Sequence, residues 1–251
     1  MNKILLVSTW LALTAAAFSQ SWTGSYNFSG SIDPALWTRY YDTNNLIQVA
    51  SGFSVVSETT NNPVDTGLEY NSLLPIDQNW SIKAVMQIRN GFNANTNGWL
   101  EGYVGVSSYS DWSNPNNSYL LGALVKPWDE TTPLTHSYWR ENGGQQTFGS
   151  SSPVDFGDVE IRVDYSASTQ NLLSYFKTSG SAGFTSMASQ STTSWTNLNG
   201  FVLVVGGYAS STTAEAGDLT IKSIDIVPEP SALSLLAVGL GGLAMMRRRR
   251  S

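Results

Sequence analysis

Between Gln20 and Pro230 the chain has no long run of apolar residues at helical spacing. Apolar and polar residues alternate instead in short stretches broken by turn chemistry. In Trp80–Arg89, residues Ile82, Ala84, Met86 and Ile88 fall on one side and Lys83, Gln87 and Arg89 on the other, as in a strand with one buried face. Val159–Tyr165 repeats the pattern with Glu160, Arg162 and Asp164 outward. Phe201–Val205 is apolar throughout, as a strand covered on both faces requires. Leu219–Ile226 reads as a closing strand, and Leu46–Val49, Phe53–Ser57, Gly98–Val106, Tyr119–Val125 and Leu172–Phe176 are further candidates. The connections carry turn formers, among them Asn61-Asn62-Pro63, Asn90-Gly91 and Asn142-Gly143-Gly144. About a dozen short strands with such turns predict an all-β chain, an antiparallel β-sandwich or jelly roll. No 20–50-residue repeat points to a propeller or solenoid. No biased linker divides the body, so residues 20–226 form one predicted domain.

Composition narrows the chemistry. Without cysteine the chain has no disulfide framework, thiol nucleophile or zinc knuckle. A net charge of −6 argues against nucleic acid as a partner, because phosphate binding needs a basic face.

The ends read as addresses. Lys3, the apolar run Ile4–Phe18 and small residues at Ala17 and Ser19 predict a signal peptide over residues 1–19, removed before Gln20 by signal peptidase. At the other end, Val227-Pro228-Glu229-Pro230 leads into the uncharged stretch Ser231–Met246 and then Arg247, Arg248, Arg249 and Arg250. Sixteen residues make a helix of about 24 Å, slightly short of the hydrocarbon core, a gap that flanking residues or local thinning can cover. The four arginines then act as the cytoplasmic anchor of an inner-membrane helix. Removing residues 1–19 and everything after Pro230 leaves eight basic against nineteen acidic residues, a net charge of −11. The terminal arginines therefore mask a strongly acidic body, which disfavours anionic partners.

This three-part tail over residues 227–251 resembles the PEP-CTERM sorting domain of Gram-negative bacteria: Pro228, Glu229 and Pro230, an apolar helix, and a closing arginine cluster. The resemblance implies recognition by an exosortase and delivery through an inner-membrane intermediate to the cell surface, the exopolysaccharide or the biofilm matrix. Within the body, Phe28-Ser29-Gly30-Ser31-Ile32-Asp33-Pro34-Ala35-Leu36-Trp37 and the strand–turn–strand Ile161–Leu173 resemble segments of concanavalin A-like jelly rolls. That family includes legume lectins and several glycanases, so the resemblance implies a two-sheet sandwich.

Catalytic signatures are sparse. Glycanases of this architecture need two carboxylates close together on one strand face, and in Glu160-Ile161-Arg162-Val163-Asp164 an arginine takes the middle place. A solvated strand face explains that run. His136-Ser137-Tyr138-Trp139-Arg140 puts the residue types of a polysaccharide lyase on one side of a predicted strand, making His136, Tyr138 and Arg140 the only catalytic candidates. No metal site is expected. Asp111, Asn114, Asn116 and Asn117 in one loop, and Asp65, Glu69 and Asn71 in another segment, leave only calcium open, and turn formation accounts for both groups. Several tryptophans, Trp80, Trp99, Trp112, Trp128, Trp139 and Trp195, lie beside turns, where a ring either stacks on a sugar or fills the core. Trp112, Asn114, Asn116 and Tyr119 are the glycan-binding candidates. The expected function is a non-catalytic, exported surface or matrix protein that associates with exopolysaccharide. The alternatives are a jelly-roll lyase or glycanase and a purely structural surface protein.

Overall fold

The computed structural model describes residues 22–40, 47–49, 52–57, 63–108, 119–141, 144, 147–195 and 198–228. The predicted signal peptide, Glu229 and Pro230, the apolar segment 231–246, Arg247–Arg250 and the candidates Trp112, Asn114 and Asn116 lie outside these residues.

The described residues form sixteen strands and no helix. In chain order the first eight are β1 (Gly24–Tyr26), β2 (Trp37–Tyr40), β3 (Ile47–Val49), β4 (Phe53–Val55), β5 (Val64–Tyr70), β6 (Trp80–Ile88), β7 (Trp99–Ser107) and β8 (Tyr119–Pro127). They are followed by β9 (Leu134–Arg140), β10 (Thr147–Phe148), β11 (Ser152–Pro153), β12 (Val159–Ser166), β13 (Asn171–Thr178), β14 (Thr185–Ser191), β15 (Val202–Ser210) and β16 (Leu219–Pro228). The first sheet runs β14-β13-β12-β6-β16-β4-β3, with β1 also on β16. The second runs β10-β9-β8-β7-β15-β5-β2, with β11 also on β9. Every ladder is antiparallel. The chain is therefore an all-β sandwich of two antiparallel sheets.

The alternation seen in the sequence builds the core. Ile82, Ala84, Met86 and Ile88 of β6 are at most 1 % exposed, as are Val159, Ile161, Val163 and Tyr165 of β12. Each large aliphatic side chain buried this way contributes about 1.5–3 kcal/mol. Trp80 stacks on Tyr165 at 5.3 Å, and both lie edge-on to Phe201. Their polar atoms are satisfied: Trp80 Nε1 donates to the Pro75 carbonyl at 2.9 Å and the Tyr165 hydroxyl to that of Ile76 at 3.0 Å. The sheets meet so closely at Gly122 on β8 that an added Cβ would lie 2.5 Å from Ile161 Cγ2. The opening segment also enters the core, where Phe28 packs on Trp37 and Phe53 and Asp33 organises the turn into β2.

Six strands, β1, β2, β5, β10, β11 and β14, were not among the predicted ones. Four of them have only two to four residues, too few to display an alternation. β14, Thr-Ser-Met-Ala-Ser-Gln-Ser, is polar almost throughout. In β5, Asp65 and Gly67 read as loop chemistry; the Asp65, Glu69 and Asn71 segment is instead a strand and its exit. Asn71 spends its side chain on Thr38 and on the carbonyls of Pro34 and Ala35.

Candidate functional site

Strand alternation gives each sheet one inner and one outer face. On the second sheet the outer face holds a second apolar cluster, separate from the core: Tyr103 of β7, Ala123 of β8, Tyr138 of β9, and Val202 and Val204 of β15, with Tyr40 and Tyr208 packed against it. Strand β15 thus contributes Leu203 and Val205 to the core and Val202 and Val204 to the outer cluster, so its continuous apolar run is used on both sides.

Glycines shape the surface beneath the tyrosines. Gly67 of β5 and Gly206 of β15 stand opposite each other. A Cβ at Gly206 would lie 2.5 Å from the Tyr40 hydroxyl and 2.7 Å from that of Tyr103, and one at Gly67 would also run into Tyr40. Bare backbone here lets Tyr40 cross from β2 to reach the Tyr103 hydroxyl. Tyr103 in turn donates to Asp65 Oδ1 at 2.5 Å, so its single proton is committed and Tyr40 is the donor to Tyr103. Burial lifts the Tyr103 phenol well above its usual range, reinforced by the Asp65 charge. Asp65 is pushed up to about 6 by loss of water around its carboxyl group; the Tyr103 hydrogen bond opposes that shift and the Glu101 charge adds to it. The residue as a whole keeps exposed surface, while its carboxyl group packs against the Tyr103 hydroxyl.

One row away, Glu101 of β7 is 5 % exposed and has both oxygens occupied. Oε2 accepts from Trp99 Nε1 at 2.9 Å, and Oε1 lies 3.4 Å from His136 Nε2. His136, Tyr138 and Arg140 share the outer face of β9, as their spacing predicts. His136 is itself only 4 % exposed. Its ring sits 5.7 Å from Trp99, 5.6 Å from Tyr138 and 6.3 Å from Phe148, making an aromatic strip across β7, β9 and β10. The strip emerges at Phe148, which is 64 % exposed. Beyond its other end, Trp128 is 47 % exposed on the turn after β8. That turn is pinned by the buried Lys126, whose Nζ donates to the carbonyls of Pro127 and Glu130, and by the Trp128 amide on the Gly98 carbonyl.

Of the remaining sequence candidates, Tyr119 opens β8 and pairs through its backbone with Ser107 and Arg140. Pro228 ends β16 opposite Trp80. The tryptophans beside turns divide: Trp80 and Trp195 are core, Trp99 and Trp139 are half-buried, and Trp128 is exposed. Glu160 and Arg162 stand on the outer face of the first sheet, paired with Lys177 and Asp164. Sequence reasoning missed Tyr40, Glu101, Tyr103 and Tyr208, and weighed Asp65 only as a turn former or calcium ligand. A signal was present in Trp99-Leu100-Glu101-Gly102-Tyr103, which has the same two-residue spacing of ring, acid and phenol as the His136 run. Among the described residues no three His, Cys, Asp or Glu side chains gather as a metal site would need.

Residues 227–250 match the family described as the PEP-CTERM protein-sorting motif. No curated protein matches the sequence. Among solved structures, the sandwich is similar to the carbohydrate recognition domain of Emp46p in its potassium-bound form, with 12 % identity over 80 % of this chain and 94 % of that one and a TM-score of 0.54. It is similar to lectin II from Ulex europaeus, with 11 % identity over 84 % of this chain and all of that one and a TM-score of 0.50. A third likeness is to the Bacteroides ovatus xyloglucan PUL GH43B, with 14 % identity over 84 % of this chain but only 40 % of that one and a TM-score of 0.54. The structural likeness, at identities this low, is one of fold alone: the lectin-type jelly roll expected from the opening segment and the β12–β13 hairpin. The motif implies an exported protein, held transiently in the membrane and processed by an exosortase.

Proposed function

We propose that the processed protein stays at the cell surface or in the extracellular matrix, where its sandwich holds exopolysaccharide without cleaving it. The contact surface is the outer face of the second sheet. One observation carries this reading: the aromatic strip Trp99–His136–Tyr138–Phe148 ends in an exposed ring. Sugar rings stack on exposed aromatic faces, and neighbouring hydroxyl and carboxylate groups hydrogen-bond their hydroxyls. Trp128 offers a further ring on the pinned turn. The body's net charge of −11 favours a neutral glycan over a uronate.

The state of the acid–base groups supports holding over cleavage. His136 and Glu101 are buried and bonded to each other, and Tyr103 is committed to Asp65, whereas a general acid or base must reach the substrate. A cleaving enzyme is the second reading. It is favoured by Asp65, whose carboxyl group is pushed up to about 6 on the same face as His136, Tyr138 and Arg140.

Co-sedimentation with exopolysaccharide from the producing cells tests the proposal. The processed protein is expected to pellet with the polymer, Phe148→Ala and Trp128→Ala to stay in solution, and the polymer's reducing ends not to increase. Accumulating ends would establish the enzyme reading. Wild-type protein left in the supernatant would leave only a structural role at the surface.

A further inference from the structure

Both ends of the sandwich chain leave from one place. β1 and β16 are antiparallel neighbours with Gly24 opposite Ile226, so the first strand begins where the last one finishes. Pro228 closes β16 opposite Trp80, the first residue of β6. The uncharged stretch of the tail starts at Ser231, three residues on, and an extended chain spans at most about 3.5 Å per residue. With the tail held in the membrane, this end of the first sheet stands within about 10 Å of the apolar segment.

The surface at that end suits lipid. Among the described residues five large apolar side chains are exposed, and Phe148 and Trp128 belong to the aromatic face and the pinned turn. The other three lie here: Leu73, Ile76 and Val227, at 52 %, 37 % and 40 % exposure. Val227 is the last residue but one of β16, and Leu73 and Ile76 lie on the loop, residues 71–79, that leads from β5 into β6. The loop is fixed in place. Leu74 and Phe201 exchange both backbone hydrogen bonds at 2.8 and 2.9 Å, and the Pro75 and Ile76 carbonyls accept from Trp80 and Tyr165. Asn79 Oδ1 accepts from the Ala167 amide at 2.8 Å, which ties the loop to the β12–β13 turn at the same end. A fixed loop that shows aliphatic side chains to water forgoes the gain of burying them, and a lipid surface restores it.

We propose that this end is a membrane-docking surface. While the tail is inserted, Leu73, Ile76 and Val227 rest at the headgroup–acyl boundary and fix the orientation of the sandwich. Asp77, exposed beside Ile76, keeps the loop at headgroup level, because a carboxylate is costly in hydrocarbon. Three aliphatic side chains make a weak contact by themselves, and the tether supplies the effective concentration that maintains it. Processing cuts the tether, so the same contact lets go of the finished protein. The inference rests on the membrane-held tail and is independent of glycan binding.

The chain has no cysteine, so a single one can carry a probe. Thr169→Cys, exposed on the β12–β13 turn at this end, and Asn90→Cys, exposed past the far end of β6, each receive an environment-sensitive fluorophore. The signal-processed chains, tail intact, are reconstituted in vesicles of phosphatidylethanolamine with a minority of phosphatidylglycerol and a headgroup spin label as quencher. Quenching at position 169 is expected to exceed that at position 90 several-fold. The tail alone brings position 169 near lipid, so the deciding comparison adds Leu73→Ser with Ile76→Ser. That pair is expected to lower quenching at position 169 about threefold, with vesicle flotation and the thermal transition unchanged. Leu73→Phe with Ile76→Trp is expected to raise it. Equal quenching at the two positions, or quenching at position 169 that neither pair moves, would overturn the inference.

Discussion

On the outer face of the first sheet, Lys177 reaches Glu160 at 3.4 Å and Arg162 reaches Asp164 at 2.9 Å, with Arg162 lying over Tyr175 and Phe184. On the outer face of the second, Glu101 pairs with His136 and Trp99, and Tyr40, Tyr103 and Asp65 form a hydrogen-bonded chain over bare glycine backbone. Both faces come from the same strand alternation, but on the first Lys177, Glu160 and Arg162 stay partly in water while Asp164 is buried on Ser81, whereas the second gathers rings around the buried Glu101. Partly exposed ion pairs contribute little. Glu101, buried and bonded to Trp99 and His136, costs much if a partner is lost, so the second face is a built surface and the first a more solvated one.

Substitutions should separate the two. Gly206→Val on the second face forces atoms into Tyr40, Tyr103 and the Thr66 carbonyl, and should destabilise by about 3 kcal/mol, read by denaturant unfolding. A cost below about 1 kcal/mol would mean that the tyrosines simply move aside. Glu101→Ala leaves the Trp99 and His136 nitrogens without their acceptor and should cost about 2 kcal/mol, whereas Glu160→Ala should stay within about 0.5 kcal/mol. Equal costs would erase the distinction between the faces.

The smallest expected effect depends on pH. Asp65 has its folded pKa raised to about 6 from 3.8, so the folded state holds this proton more tightly and the group's contribution to stability falls as pH rises between those values. Asp65→Asn should therefore gain about 1 kcal/mol at pH 7.5, discounted for the residue's exposure, and nothing comparable at pH 4. Thermal melts at the two pH values check this, and a gain confined to pH 4 would reverse the assigned cause.

The first face and the core were legible in the sequence because alternation reports one-sided burial directly. β6 and β12 show it residue by residue. The second face was legible only in part. His136, Tyr138 and Arg140 were found by their spacing, but the partner of His136 is Glu101, 35 positions away and brought near by the β7–β8–β9 ladders. Strand order sets that proximity, and no local pattern encodes it. β5 escaped for a related reason: Gly67, a breaker in isolation, is where Tyr40 lies across the sheet. The tail needed no fold at all, since Pro228-Glu229-Pro230, an apolar run and four arginines are contiguous.

An NMR titration of aromatic side chains with soluble exopolysaccharide fragments tests whether polysaccharide meets the second sheet's outer face, as proposed above. Signals of Phe148 and Trp128 should shift in proportion to bound glycan while those of Tyr175 and Phe184 on the opposite face stay fixed. Shifts at Tyr175 and Phe184 with Phe148 and Trp128 unmoved would contradict it.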